Sequence, residues 1–147
     1  MKTPRIGEMK IQTEFMTTIR SEKMSIQKSK REIASFLRNL NNLEKLMPVD
    51  KIDNWQSSEE NCSFKIKGLA KIGMKLKTEE SNKITLTSEG ENPFDFTLDM
   101  LFDDTAGNDT EVQLEFNADM NSFTAMMVKK PLKNFFDMLV NNLAEQN

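Results

Sequence analysis

The stretch that decides the fold is residues 94–120, FDFTLDMLFDDTAGNDTEVQLEFNADM. Phe94, Phe96, Leu98, Met100 and Phe102 alternate with Asp95, Thr97 and Asp99. After the loop Asp103–Asp109, Val112, Leu114, Phe116, Ala118 and Met120 alternate with Glu111, Gln113, Glu115 and Asp119. A period of two places alternate side chains on opposite faces, so both runs read as strands with one dry and one wet face. Strands joined by so short a loop are antiparallel, because a parallel crossover needs a dozen or more residues. A sheet with one wet face is covered on the other face only.

The same period extends upstream. Cys62, Phe64 and Ile66, then Ile72, Met74 and Leu76, alternate with lysines and serine. Gly68 and Gly73 flank Leu69–Ile72, so these runs form a hairpin or a bulged continuation. Ile84 and Leu86 alternate with Lys83, Thr85 and Thr87 behind a turn at Glu79–Asn82. Downstream, Val128, Leu132, Phe135, Phe136, Leu139, Val140 and Leu143 share about 140° of a helical wheel, which makes this C-terminal helix the cover. Pro131 belongs in a first turn, so the regular helix is expected to begin near Lys129 or Lys130, with Met126 and Met127 in a looser lead-in.

Toward the N-terminus, residues 17–27 read as a strand. Ser29 and Glu32 form a capping box in front of Ile33, Phe36, Leu37 and Leu40. Asn41 and Asn42 interrupt, Leu43, Leu46 and Met47 continue, and Pro48 stops the run, giving two short helices or one broken one. Residues 1–15 are expected to be an N-terminal extension or edge segment, and residues 16–147 a single domain. The fold class is α+β: six to seven antiparallel strands in a curved sheet wrapped around a long C-terminal helix, with two short helices after the first strand.

Composition narrows the function. The chain has 147 residues, 29% charged and 37% apolar, which suits one globular domain with a real core. A net charge of −3 argues against nucleic-acid binding, which calls for a basic surplus. There is no histidine and no tyrosine, so histidine-based nucleophile pairs are excluded and the commonest metal ligand is missing. No catalytic residue, metal or cofactor is expected. The single cysteine, Cys62, rules out an internal disulfide and reads as a buried inert thiol. No apolar run reaches the roughly 18 residues of a membrane span, and no secretory signal is seen, so the expected location is the cytoplasm.

Several landmarks resemble the START-like superfamily, also called SRPBCC or the polyketide cyclase/dehydrase and lipid-transport group. They are Ser29–Ile33 entering the first helix, Phe36–Leu43 with Glu44–Pro48, Asn54-Trp55, the Phe64–Gly68 and Gly73-Met74 hairpin, and Lys130–Leu132 entering the last helix. The resemblance covers residues 17–146 and is closest to small bacterial members. It implies a helix-grip fold with an apolar cavity between the concave sheet and the long helix. It specifies fold well and function poorly, and no family catalytic motif can be carried over.

On that reading the cavity lining is Trp55, Phe64, Ile66, Met74, Leu76, Leu86, Phe94, Phe96, Leu98, Met100, Leu114, Phe116, Met127, Leu132, Phe135, Phe136 and Leu139. The same residues equally fit a fully packed core. Eleven methionines favour an adaptable pocket, although methionine-rich cores without ligands are also common. The leading function is non-catalytic binding or transport of a small hydrophobic molecule such as a lipid, quinone or polyketide. Ser88, Thr78 and Asn117 are the candidate polar groups. The alternatives are a cyclase or aromatase using a buried carboxylate, and a protein-interaction module without ligand. Asp103, Asp104 and Asp109 lack a calcium-loop spacing and read as a solvated turn, as do Glu89 and Glu91. Oligomeric state is left open.

Overall fold

Alternating apolar residues build one antiparallel sheet in a computed structural model that describes residues 16–105 and 107–146. Its strands are β1 (Met16–Arg20), β2 (Met24–Ile26), β3 (Ile52–Ser57), β4 (Asn61–Ile66), β5 (Ala70–Glu80), β6 (Lys83–Ser88), β7 (Phe96–Asp104) and β8 (Thr110–Asp119). They lie in the order β1-β8-β7-β6-β5-β4-β3, and β2 also pairs with β8. From β3 to β8 every strand pairs with its sequence neighbour, as the short connections require. Residues 1–15, expected as an extension, lie outside the described residues.

The sheet has eight strands rather than six or seven because the first run is broken. Ser21 is buried at the break, where its amide donates to the Leu114 carbonyl at 2.9 Å and its hydroxyl accepts from the Leu114 amide at 2.9 Å. The Ser21 carbonyl accepts from the Gln113 side chain at 2.9 Å. The backbone groups of Ser21 and Leu114 are therefore partnered, which makes the interruption tolerable.

Helix α1 (Lys30–Arg38) opens on the capping box that the sequence spells. The Glu32 amide donates to the Ser29 hydroxyl at 3.2 Å, and the Ser29 amide donates to the Glu32 carboxylate at 3.1 Å. The second short helix is a 3-10 turn, Leu40–Leu46, which buries Leu40, Leu43 and Leu46. Its threefold repeat aligns those leucines on one side.

Helix α2 runs Ser122–Ala144 and begins eight or so residues earlier than Pro131 suggests. The start is set by Asn121, whose side chain accepts from the Thr124 amide at 2.8 Å. Pro131 sits in the helix interior, where its missing N–H leaves one carbonyl without a helical donor. That stretch carries no buried residue before Leu132, so solvent can serve the carbonyl. From Leu132 onward, Phe135, Phe136, Leu139, Val140 and Leu143 are buried against the sheet and the 3-10 turn. Each such side chain contributes about 2 kcal/mol through burial.

Candidate functional site

The space between sheet and α2 is lined by aromatic rings in continuous contact. Trp55 stacks on Phe64 at 5.4 Å and Phe64 on Phe135 at 6.1 Å. Phe135 meets Phe136 at 6.0 Å, Phe136 meets Phe116 at 5.3 Å, and Phe116 stacks on Phe96 at 5.0 Å. Phe94 closes the chain with edge contacts to Phe96 and Phe116.

Trp55 reaches this row because β3 carries a bulge. The β3–β4 register shifts between Asp53 and Gln56, and Asn54 has φ 57. Asparagine tolerates that left-handed backbone better than most residues. The extra residue resets the alternation, so Ile52, Trp55 and Ser57 are half-buried while their neighbours are exposed. The Trp55 indole N–H donates to the Ser57 hydroxyl at 3.0 Å, and that hydroxyl donates to the Asn41 side-chain Oδ1 at 2.6 Å, tying β3 to the 3-10 turn.

Two voids of about 20 Å³ each lie inside. The outer one is lined by Phe64, Ile66, Ile72, Phe96, Phe116, Leu132, Phe135 and Phe136. The inner one is lined by Leu37, Leu43, Leu46, Met100, Val112, Leu114, Val140 and Leu143. Met47, Met74, Leu98 and Leu139 line both and form the partition between them. Neither lining contains a polar or ionisable side chain. Each void has room for about one water molecule, far below the roughly 300 Å³ of a ligand pocket, so the interior is closed in this conformation.

Twelve of the expected lining residues surround these voids: Phe64, Ile66, Met74, Phe96, Leu98, Met100, Leu114, Phe116, Leu132, Phe135, Phe136 and Leu139. Trp55 stands one layer back, behind Phe64. Leu86 is fully buried on the same face, opposite Leu98, but reaches neither void. Leu76 is half-buried, where a bulge between Leu76 and Thr78 loosens the strand, and Phe94 is half-buried in the loop before β7. Met127 does not face the interior. It is 62% exposed, because the first turns of α2 carry no buried residue. Leu37, Leu43, Leu46, Met47, Ile72, Val112, Val140 and Leu143 were legible as apolar faces, yet only the folded geometry marks them as lining.

The remaining candidates lie elsewhere. Ser88 accepts from the Phe96 amide at 3.2 Å, Asn117 accepts from the Thr18 hydroxyl at 2.6 Å, and Thr78 is exposed. Asp103 accepts from Asn82 at 3.1 Å, and Glu89 faces Lys75 at 4.0 Å. Among the described residues, no group of acidic residues and cysteine is placed to hold a metal ion. Cys62 is buried, and burial pushes its thiol up to about 12. No helix among the described residues is long and apolar enough to cross a membrane.

No protein-family model matches the chain, and no curated protein sequence does. Solved structures do. A START superfamily protein from Mycobacterium smegmatis is similar at TM-score 0.66 and 11% identity, over 88% of this chain and 94% of that one. Truncated norcoclaurine synthase from Thalictrum flavum is similar at TM-score 0.66 and 9% identity, over 90% and 96%. An uncharacterised protein from Bacillus thuringiensis is similar at TM-score 0.66 and 12% identity, over 88% and 96%. At such identities the likeness is one of fold, and it agrees with the element order read from the residues: the chain has the START-like helix-grip fold.

Proposed function

We propose that the chain binds a small hydrophobic molecule without transforming it, in the space between the sheet and α2. The observation that carries this reading is the partition. Two wholly apolar voids are separated by four side chains, two of which are the methionines Met47 and Met74. Methionine is unbranched, with three rotatable bonds, so it yields to an incoming apolar group at little cost. Rotation of Met47 and Met74, together with outward movement of α2, joins the voids and admits a ligand. The closed form is then the resting conformation of an adaptable site.

The wall also bears on catalysis. General acid–base work needs a titratable group within reach of the reacting atom. No such group lines either void, and Cys62, buried with a raised pKa, is a neutral thiol near neutral pH. Norcoclaurine synthase shares the fold and is an enzyme, but its activity does not transfer at 9% identity.

The test is native mass spectrometry of the protein purified from its own host, followed by solvent extraction. A retained apolar molecule is the expected result. Protein that emerges empty and shows no rise in Tm with a panel of lipids and quinones overturns the reading.

A further inference from the structure

The outer void shares two lining residues with a cleft on the surface. The cleft, of about 400 Å³, lies where the β4–β5 turn meets α2, and Ile66 and Phe135 line both the cleft and the outer void. The cleft and the void therefore meet at these two buried side chains. The floor of the cleft is apolar, with Leu69, Pro131 and Met138 beside those two. Its rim carries Lys51, Lys67 and Lys130, with Asn134 among them and no carboxylate in the lining.

That rim is unusual in a chain of net charge −3. Lys67 faces Asp53 at 3.8 Å, but both are about half-exposed, so the pair is weak. Lys51 and Lys130 form no ion pair among the described residues. The Lys67 amide donates to the Lys51 carbonyl at 2.8 Å, which fixes those two backbones side by side. A wholly apolar ligand would make no use of three cations. An anion could not go deeper, because the void offers it no donor.

We propose that the occupant is an amphiphile with one apolar chain and an anionic head. The chain passes Ile66 and Phe135 into the voids, and the head stays at the rim on Lys51, Lys67 and Lys130. This rests on the apolar-binding reading above and adds the ligand's chemical class.

The test is calorimetric titration of the full chain with dodecanoate, dodecyl phosphate and 1-dodecanol, which share a chain and differ in head. Three exposed lysines are worth modest energies each, so an anionic head should bind about fivefold tighter than the alcohol at low salt. The preference should disappear at about 1 M salt. A preference for dodecyl phosphate over dodecanoate, or the reverse, identifies which anion the rim takes, and either supports the proposal. The double variant Lys51→Gln/Lys130→Gln should remove most of the anion preference, leaving what Lys67 alone supplies, and leave the alcohol unchanged. Lys65→Gln/Lys71→Gln removes equal charge from exposed, paired positions on β4 and β5 outside the cleft and should alter neither affinity. All four positions are exposed, so these variants keep the fold. Equal binding of alcohol and anions at low salt overturns this inference alone. So does a loss in the β4–β5 variant as large as in the rim variant. Failure of all three probes to bind overturns the apolar-binding reading as well.

Discussion

Trp55 lies flat against Phe64, their ring centroids 5.4 Å apart and their planes 20° from parallel. Phe64 in turn lines the outer void, so the indole sits one ring away from the proposed ligand. Trp55 is the chain's only tryptophan and there is no tyrosine, so its fluorescence reports this one place. Titrating the protein with dodecanoate should shift or quench the emission as the ligand displaces Phe64. In Phe64→Leu the spectral change should fall by about half or more, while calorimetry still detects binding, because leucine keeps that wall of the void apolar. An unchanged spectral response in Phe64→Leu would show that Trp55 senses the ligand by another route.

Met74 belongs to the partition, and it is 4% exposed. Met74→Ala should merge the two voids into one larger cavity at a cost of about 2–4 kcal/mol in stability. An apolar cavity of that kind stays dry and takes small apolar guests. Benzene should therefore raise the Tm of Met74→Ala well above its effect on the unaltered protein, which must first displace the Met74 side chain. Equal responses from both would show that the partition does not close the interior.

Gly73 and Gly68 differ in what surrounds them. A Cβ on Gly73 would fall 2.5 Å from the Glu89 carbonyl oxygen, a backbone atom. The Glu89 amide donates to the Gly73 carbonyl at 2.9 Å, and the Asn92 side chain bonds the Gly73 amide and carbonyl at 2.9 and 3.1 Å. The loop after β6 is thus clamped onto β5 at a point where only glycine fits. Gly68 has φ 75 but open space around it. Gly73→Ala should cost about 2–3 kcal/mol by clash and lost hydrogen bonds. Gly68→Ala should cost about 1 kcal/mol by backbone strain alone. Chemical denaturation measures both, and the order Gly73 above Gly68 is the outcome that matters.

Burial raises the Cys62 thiol from its ordinary 9.0 to about 12. The native thiol therefore stays neutral while the unfolded one ionises, and ionisation favours unfolding. Its stabilising contribution is fully present below pH 9.0 and declines as pH rises from there toward about 12. The slope is at most about 1.4 kcal/mol per pH unit. Denaturation near pH 8 and pH 10 should show a steeper loss in the unaltered protein than in Cys62→Ala. The same burial predicts that a maleimide reagent labels native protein far more slowly than unfolded protein.

Much of the fold was legible because period carries it. The alternation from Phe96 to Phe102 and from Val112 to Ala118 appears in the structure as paired β7 and β8, with Leu98 opposite Phe116 and Met100 opposite Leu114. The Ser29–Glu32 capping box starts α1 where the sequence places it. What escaped was set by single residues acting against the pattern. Ser21 breaks the first strand with side-chain hydrogen bonds whose partners lie more than ninety positions away. Asn121 begins α2 far ahead of Pro131, which the helix tolerates because its first turns face solvent. Asn54 adds a bulge that turns Trp55 inward. The lining residues of the sheet were legible from the same alternation. The size of the space they enclose was not, because it depends on how far Met47 and Met74 extend into it.

The most direct measurement uses protein labelled with carbon-13 at the methionine methyl groups. Met47, Met74 and Met100 line the voids, whereas Met126 and Met127 stand exposed on α2. The account predicts that adding dodecanoate shifts the methyl signals of Met47 and Met74 most, with Met126 and Met127 unmoved. Shifts confined to Met126 and Met127, or no shift at all with dodecanoate, 1-dodecanol or a short-chain quinone, would contradict it.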